Sequence, residues 1–423
     1  MKIHGVSAPV LVLGANFHGS LGIIRSLGEL GVTVYGTYSD ERGPATYSKY
    51  CREAFQWRYQ PGSDECVHQL VKIGDQIGRP CVLIPTWDET AVFVAEHYVE
   101  LSRRFIYPQQ FPELANKLVN KKDMHLLAKE CGIPTADTTL PKCLTDVETF
   151  ANSAKFPVLL KGSDGNRLKR RANRKMAIVH TPEELVQLYI ELEDPDNPNL
   201  MLQEYIPAPK GSDWMFNGYF NAESECLVGF TGQKLRQTPV YTGMTSLGIC
   251  RKNSIVIKRT VDWMKQLGYK GVLDIGYRYD HRDGEYKVLD VNPRIGATFR
   301  LFLGHNQLDV ARALYLDMTG QAVPESLPRE GRKWMVELDF KSCIDYYRDS
   351  NLTLREWREF LRGIEEFGYF RPDDLRPFGR LIIAATKRMF RRRAAMQVTP
   401  PPPLYTNAIV TGSVEVSAGA AAE

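Results

Sequence analysis

Apolar positions follow two regimes along the chain, and the change between them divides it. Up to about residue 115, short continuous apolar runs alternate with longer helical patterns. "PVLVLGANFHGSLGIIRSLGELGVTVYGTY" reads as strand, glycine-rich turn, helix and strand, and "CVLIPTWDETAVFVAEHYVELSRR" as a strand running into a helix. Strands that are apolar on both faces and separated by helices belong to parallel sheets covered on both sides. Residues 1–115 are therefore expected to form a doubly wound α/β domain. "NKKDMHLLAKECGIPTADT" predicts a helix capped by Asn120, ended by Gly132 and stopped by Pro134. Short strands in "FPVLLKGSDG" and "KMAIVH", a helix over "TPEELVQLYIELE" and a strand in "LMLQEYI" complete a small α+β lobe over 116–208. From 209 to 325 the strands lengthen ("DWMFNGYFN", "ECLVGFTGQKLR", "GVLDIGYRYD", "GEYKVLDVN"). They read as an antiparallel lobe with helices near 253–267 and 308–319. A partly helical extension over 326–395 follows. Residues 396–423, rich in proline and small residues, bury too little surface to offset ordering entropy and predict a disordered tail.

One stretch carries chemistry. In "VLDVNPRIGAT" (288–298), Asp290, Asn292 and Arg294 are two residues apart and share one strand face, while Leu289, Val291, Pro293 and Ile295 look toward a core. The preceding strand holds Asp274, and "HRDG" between them signals a hairpin. If Arg282, Asp283 and Gly284 form a three-residue loop with Gly284 left-handed, Asp274 lies opposite Asn292 and diagonal to Asp290. A two-residue Asp283-Gly284 turn would set it opposite Pro293 instead. In the first register two carboxylates and an amide oxygen converge within roughly 5 to 8 Å. That donor set suits Mg²⁺; a solvated polar face is the plainer alternative.

Composition narrows the function class. With 54 basic and 50 acidic residues the net charge is +4, which gives no support to a nucleic-acid partner. The eight cysteines form no C-x-x-C pair, so reduced thiols are expected. The N-terminus lacks a secretory pattern and no apolar run approaches 18 residues, so a cytoplasmic protein is expected. "HRDG" fails as a kinase catalytic loop because position 288 is Val, and there is no P-loop. Gly14, Gly19 and Gly22 miss the dinucleotide spacing and read as a tight structural turn.

Other candidates have two readings each. His18 either touches a ligand or is a solvated loop residue. "KGSDGNRLKRRANRK" (161–175) either covers phosphates, with Ser163 and Gly165 offering backbone amides, or is a solvated basic turn. Lys234 and Arg236 either anchor a substrate carboxylate or are strand-end charges. Asp88 and Glu89 in "TWDETA" either bind an amine or serve a helix N-terminus. The basic, partly apolar segment 377–393 either lies on an anionic membrane or is a solvated helix end.

Asp274, then Asp290-Val-Asn292-Pro-Arg294, preceded by Lys121 in "VNKKD", Lys161 in "FPVLLKG" and "LMLQEYIP" at 200–207, resemble the ATP-grasp family over about residues 5–320. "HRDGEYKVLDVN" and "GHNQLDVARALY" bring the resemblance nearest to carboxylate-amine ligases similar to D-aspartate ligase. The resemblance implies an ATP-grasp architecture of parallel α/β domain, small lobe and larger antiparallel lobe, with a nucleotide clamped between two antiparallel sheets. Lys121 and Lys161 would contact phosphates, with Ser163 nearby. Gln203, Glu204, Tyr205 and Ile206 would meet the adenine side, and Asp213 the ribose. Asp274, Asp290 and Asn292 would hold two Mg²⁺, or Mn²⁺ in their place, and Arg294 with Lys161 would act on the acyl phosphate. The family usually carries Glu where Asp290 stands; the shorter side chain alters metal geometry, not ligand type. ATP, Mg²⁺, a small-molecule carboxylate and an amine, one of them an amino acid, are the implied partners, with oligomeric state open. An ATP-dependent carboxylase of the biotin-carboxylase type and a non-catalytic nucleotide-binding or membrane-surface module are the alternatives.

Overall fold

Three sheets follow one another in chain order. The protein is described from a computed structural model covering residues 1, 3–174, 176–238, 240, 243–337, 339–348 and 353–398. The first sheet is built from β1 (Val10–Leu13), α1 (His18–Gly28), β2 (Val34–Tyr38), β3 (Cys51–Gln56), α2 (Asp64–Ile77), β4 (Cys81–Pro85), α3 (Asp88–Glu96), α4 (Tyr98–Leu101) and β5 (Phe105–Ile106). Its strands are all parallel, in the order β3-β2-β1-β4-β5. The order reverses between β1 and β4, which opens a crevice at their carboxyl ends. Leu11, Leu13, Leu70, Leu83 and Phe105 form a core on one side of this sheet. Of the glycines expected in a tight turn after β1, Gly14 lies in the loop while Gly19 and Gly22 lie inside α1, and all three allow close packing. A Cβ at Gly14 (φ +82°) would lie 2.6 Å from Trp87 Nε1; at Gly19, 2.9 Å from Ala297 Cα; at Gly22, 2.9 Å from Arg300 Cγ.

α5 (Pro112–Val119) and α6 (Lys121–Glu130) lead to the second sheet. Asn120 caps α6, its Oδ1 accepting from Lys122 N and Asp123 N at 3.0 and 3.2 Å. The small lobe contains β6 (Thr138–Thr139), α7 (Leu144–Ser153), β7 (Val158–Gly162), α8 (Gly165–Ala172), β8 (Met176–Val179), α9 (Pro182–Leu192) and β9 (Leu200–Glu204), with sheet order β6-β9-β7-β8. The loop expected over 161–175 is mostly helix. "GNRLKRRA" is rich in helix formers, Leu168 packs into the lobe core, and Arg167 and Arg171 pair with Asp194 at 3.1 and 3.5 Å.

The third sheet has seven strands, in the order β14-β13-β10-β11-β12-β15-β16. Its elements are β10 (Asp213–Phe220), β11 (Cys226–Thr238), β12 (Met244–Cys250), α10 (Ser254–Gln266), β13 (Gly271–Asp280), β14 (Glu285–Asn292), α11 (Val310–Met318), β15 (Lys333–Met335), α12 (Asp339–Arg348), α13 (Leu354–Leu361) and β16 (Ile364–Phe367). β12 is an addition to the expected strands. The segment after 325 is partly helical, as expected, but also gives two strands to the sheet. α14 (Arg376–Val398) contains the basic segment 377–393. The chain divides into two units after Arg380. Of the second unit, residues 381–398 are described, as helix; the expected tail beyond 398 lies outside the described residues. Among the described residues, no helix is long and apolar enough to cross a membrane.

Candidate functional site

The β13–β14 hairpin sets the register of the polar face. Asp274 pairs with Asn292 and Gly276 with Asp290, the arrangement expected, but the chain reaches it differently. Asp280 pairs with Glu285, so the loop has four residues (281–284) instead of three, with Gly284 left-handed at φ +76°. Arg282 and Lys287 bind the Asp280 carboxylate and hold it well below the usual carboxylate range. A bulge then leaves Leu289 without a partner and restores the opposition of Asp274 and Asn292. Leu289 accordingly does not join the buried core that holds Val288 and Val291. Val288 N–H donates to Pro134 O at 2.8 Å, fixing the bulge to the segment after α6.

Asn292, Asp274 and Asn217 face one another across β14, β13 and β10. Two glycines make room for the carboxylates. A Cβ at Gly276 would overlap Asp290 Oδ1, and a Cβ at Gly296 would lie 2.6 Å from each Asp274 oxygen. Asn292 Nδ2 donates to Asp290 Oδ2 at 3.0 Å and to Asp274 O at 3.1 Å, which turns its Oδ1 away from both. Asn217 Oδ1 is buried and has no hydrogen-bond partner among the described residues.

Cations surround this face. Burial raises the Asp274 carboxyl to about 6, with Arg294 pulling it down and Asp290 pushing it up. Burial also acts to raise Asp290, but Lys121, Lys234, the Asn292 hydrogen bond and Arg294 outweigh it and hold Asp290 below the ordinary value. Lys121 opens α6, where its N–H meets Ser163 O at 3.4 Å. Lys161 is lowered to about 8 by burial and by Lys121, against the attraction of Asp290. Its Nζ donates to Gln203 Oε1 at 2.7 Å, Gln203 Nε2 to Thr138 Oγ1 at 2.7 Å, and Thr138 Oγ1 to Ala136 O at 3.0 Å, so a polarised chain aims the ammonium. Arg294 Nε lies 2.9 Å from Asp88 Oδ1, and its Nη1 3.8 Å from Asp274 Oδ2.

Lys121, Lys161, Lys234 and Arg294 thus stand against Asp274, Asp290 and Asp88, an excess that suits an anionic ligand. Among the described residues, no three His, Cys, Asp or Glu side chains gather into a metal-holding group. Two carboxylates in a glycine cradle fit Mg²⁺ completed by water and phosphate oxygens, and Asn292 would join them as a ligand with its amide turned to present Oδ1.

No family model matches the chain. In sequence it is similar to the D-aspartate ligase of Enterococcus faecium, 23% identical over 319 residues that cover 71% of this chain and 74% of that one. It is also similar to biotin carboxylase 1 of Bacillus subtilis, 22% identical over 291 residues, 64% of this chain and 62% of that one. Among solved structures it resembles the biotin carboxylase domain of the Hydrogenobacter thermophilus 2-oxoglutarate carboxylase, in complex with MgADP, ADP and bicarbonate (TM-score 0.59, 16% identity, 78% of this chain and 74% of that one). It likewise resembles the N5-carboxyaminoimidazole synthetase of Staphylococcus aureus (TM-score 0.57, 13% identity, 79% and 82%). The chain has the ATP-grasp fold.

The remaining residues expected at the ATP-grasp site are distributed unevenly. Glu204 is tied to the hairpin by Arg282 and by Lys287 at 3.6 Å, and its N–H donates to Asp137 O at 2.8 Å. Tyr205 is half-buried; Ile206 is buried, and its carbonyl accepts from Arg278 Nη1 at 3.2 Å. Both Asp213 oxygens are engaged, by Arg278 and by Gln237, each at 2.8 Å. Ser163 N–H donates to Asn199 O at 2.7 Å and is not free for a phosphate. Arg236 is a correction: it is buried against Asp339, with Nε 2.9 Å from both carboxylate oxygens, and is no substrate anchor. Lys234, two positions earlier, has no hydrogen bond or ion pair among the described residues and feels both Asp274 and Asp290. His18 is a second correction: it is 6% exposed, packed against Phe17, Trp334 and Tyr369, and burial lowers it to about 4. Gly276, Gly296, Thr138 and Asn217 were missed. Only Asn217 had a signal, as the polar residue within the apolar "MFNGYF".

Proposed function

We propose that the protein is an ATP-dependent ligase joining a carboxylate to an amine through an acyl phosphate, with release of ADP and phosphate. The observation that carries this reading is the convergence of Asp274, Asp290 and Asn292 in a glycine cradle ringed by four cations. Lys121 and Lys161 neutralise the phosphates, and the Gln203-Thr138 chain fixes where the Lys161 ammonium points. Mg²⁺ held by Asp274, Asp290 and Asn292 would neutralise charge on the phosphate oxygens during transfer. The substrate carboxylate attacks the γ-phosphorus and ADP leaves. Arg294, now shared between Asp88 and Asp274, offers its guanidinium to the acyl phosphate. The amine then attacks the carbonyl carbon, the C–N bond forms, the C–O bond to phosphate breaks, and the nitrogen loses its proton.

No protein nucleophile is needed. Burial pushes the thiols of Cys51, Cys226, Cys250 and Cys343 up to about 11, 12, 12 and 12, which suits inert cysteines. The similarity to a D-aspartate ligase favours an amino acid as one substrate, and the likeness to a biotin carboxylase domain solved with bicarbonate supports bicarbonate as the competing substrate.

The test incubates the protein with ATP, Mg²⁺ and pooled amino acids and carboxylates, with bicarbonate as a separate arm and hydroxylamine as a trap. ADP with hydroxamate formation is expected. AMP would overturn the acyl-phosphate reading, bicarbonate-dependent ADP release without an amine would favour the carboxylase, and ATP binding without ADP would leave a non-catalytic module.

A further inference from the structure

We propose that Phe17, Trp87 and Asp88 form a subsite for the ammonium group of the amine substrate; this rests on the ligase reading. The three residues stand at the carboxyl ends of β1 and β4, where the strand order reverses and α/β sheets receive ligands. Phe17 and Trp87 stand just before the first turns of α1 and α3, and their rings lie 4.9 Å apart with a 51° tilt. Trp87 remains 46% exposed, whereas Trp57, Trp263 and Trp334 are 4% exposed or less. The loop is also shaped to hold this indole at the surface, because Gly14 has no Cβ to collide with Trp87 Nε1.

The aromatic pair borders the reaction site. The Phe17 ring covers Gly19 beside Ala297, and the neighbouring Gly296 lies over the Asp274 carboxylate. Asp88 follows Trp87 directly and touches Arg294. Two aromatic rings and a carboxylate at one strand-end crevice together attract a cation, so this crevice suits the amine substrate. Geometry agrees with that assignment. Arg294 has Asp274 on one side and Asp88 on the other, so an acyl phosphate held by Arg294 lies next to an ammonium held by Asp88. Nucleophile and carbonyl carbon are thereby brought together before the proton is lost.

The test uses the full chain and two probes of opposite charge on one phenethyl frame, phenethylammonium and 3-phenylpropanoate, measured by titration calorimetry. Saturable binding of phenethylammonium that depends on Asp88 and Trp87 is expected, whereas 3-phenylpropanoate, drawn to the neighbouring cations, should be indifferent to both residues. Asp88→Asn and Trp87→Leu should each weaken phenethylammonium binding by about tenfold, and Trp87→Phe, which keeps a ring, should restore most of it. Thermal melts identify any variant that fails to fold, and Trp87→Phe against Trp87→Leu then decides. Absence of phenethylammonium binding, or phenethylammonium binding indifferent to both Asp88→Asn and Trp87→Leu, overturns the subsite. ADP formation separates the two ideas: turnover with ammonium binding indifferent to the variants removes the subsite alone. Variant-sensitive ammonium binding without ADP from any substrate pair leaves the subsite standing and removes the ligase.

Discussion

Replacing Gly276 by alanine would put a methyl group where the Asp290 carboxylate now sits. The added Cβ falls about 1 Å inside the ordinary C···O contact of roughly 3.3 Å. Oδ1 must therefore retreat by about that distance, and the 3.0 Å bond from Asn292 Nδ2 to the same carboxylate is lost or stretched. Displacements of about 1 Å in a reacting constellation cost on the order of 10²-fold in rate. The packing cost is about 1 to 3 kcal/mol, so the fold should survive. The assay is ADP release at saturating ATP, titrated with Mg²⁺, beside a thermal melt. Gly276→Ala should melt somewhat lower, need more Mg²⁺ and turn over about 100-fold more slowly. Turnover within about threefold of the parent, with an unchanged Mg²⁺ requirement, would refute the claim that Gly276 exists to seat Asp290.

Three further predictions test other parts of the molecule. Asp290→Ala should abolish turnover and leave the melt close to the parent's; near-normal activity would remove Asp290 from the metal site. Arg236→Met should strand Asp339 in the core and cost about 3 to 5 kcal/mol in denaturant unfolding; lost activity at unchanged stability would return Arg236 to the substrate. For His18, the folded value of about 4 lies below the unfolded value of about 6.5, so the unfolded chain takes up a proton first as pH falls. Its contribution is complete above about pH 6.5 and is lost toward pH 4, by ~3 kcal/mol. Denaturation of the parent and His18→Phe at pH 7.5 and 4.5 should show the parent losing that much more, and equal losses would place the acid sensitivity elsewhere.

What the sequence reveals depends on whether neighbours or local residues decide each element. β1, β2 and β4 were legible because a strand buried on both faces must be apolar throughout. β12 was not, since "MTSLGIC" is a strand only through pairing with β11 and β15. β15 is three residues long and leaves no periodicity to read. Lys234 and Arg236 show the sharper failure. A spacing of two suggests one shared face, but the register shifts on either side of Arg236, leaving Lys234 at the site and turning Arg236 into Asp339. The hairpin offered a clue that went unused. Val288 and Val291 both enter the core, a step of three in a strand of period two, and that step requires a bulge.

Leu289 is the spare link in this ribbon. A chain shortened by that one residue would run a regular ladder from Glu285 onward and still present Asp290 and Asn292 toward Gly276 and Asp274. Removing Val291 instead would swing Asn292 and Arg294 into oil and dismantle the polar face. Two neighbouring single-residue deletions therefore have opposite fates, one absorbed as slack and the other fatal.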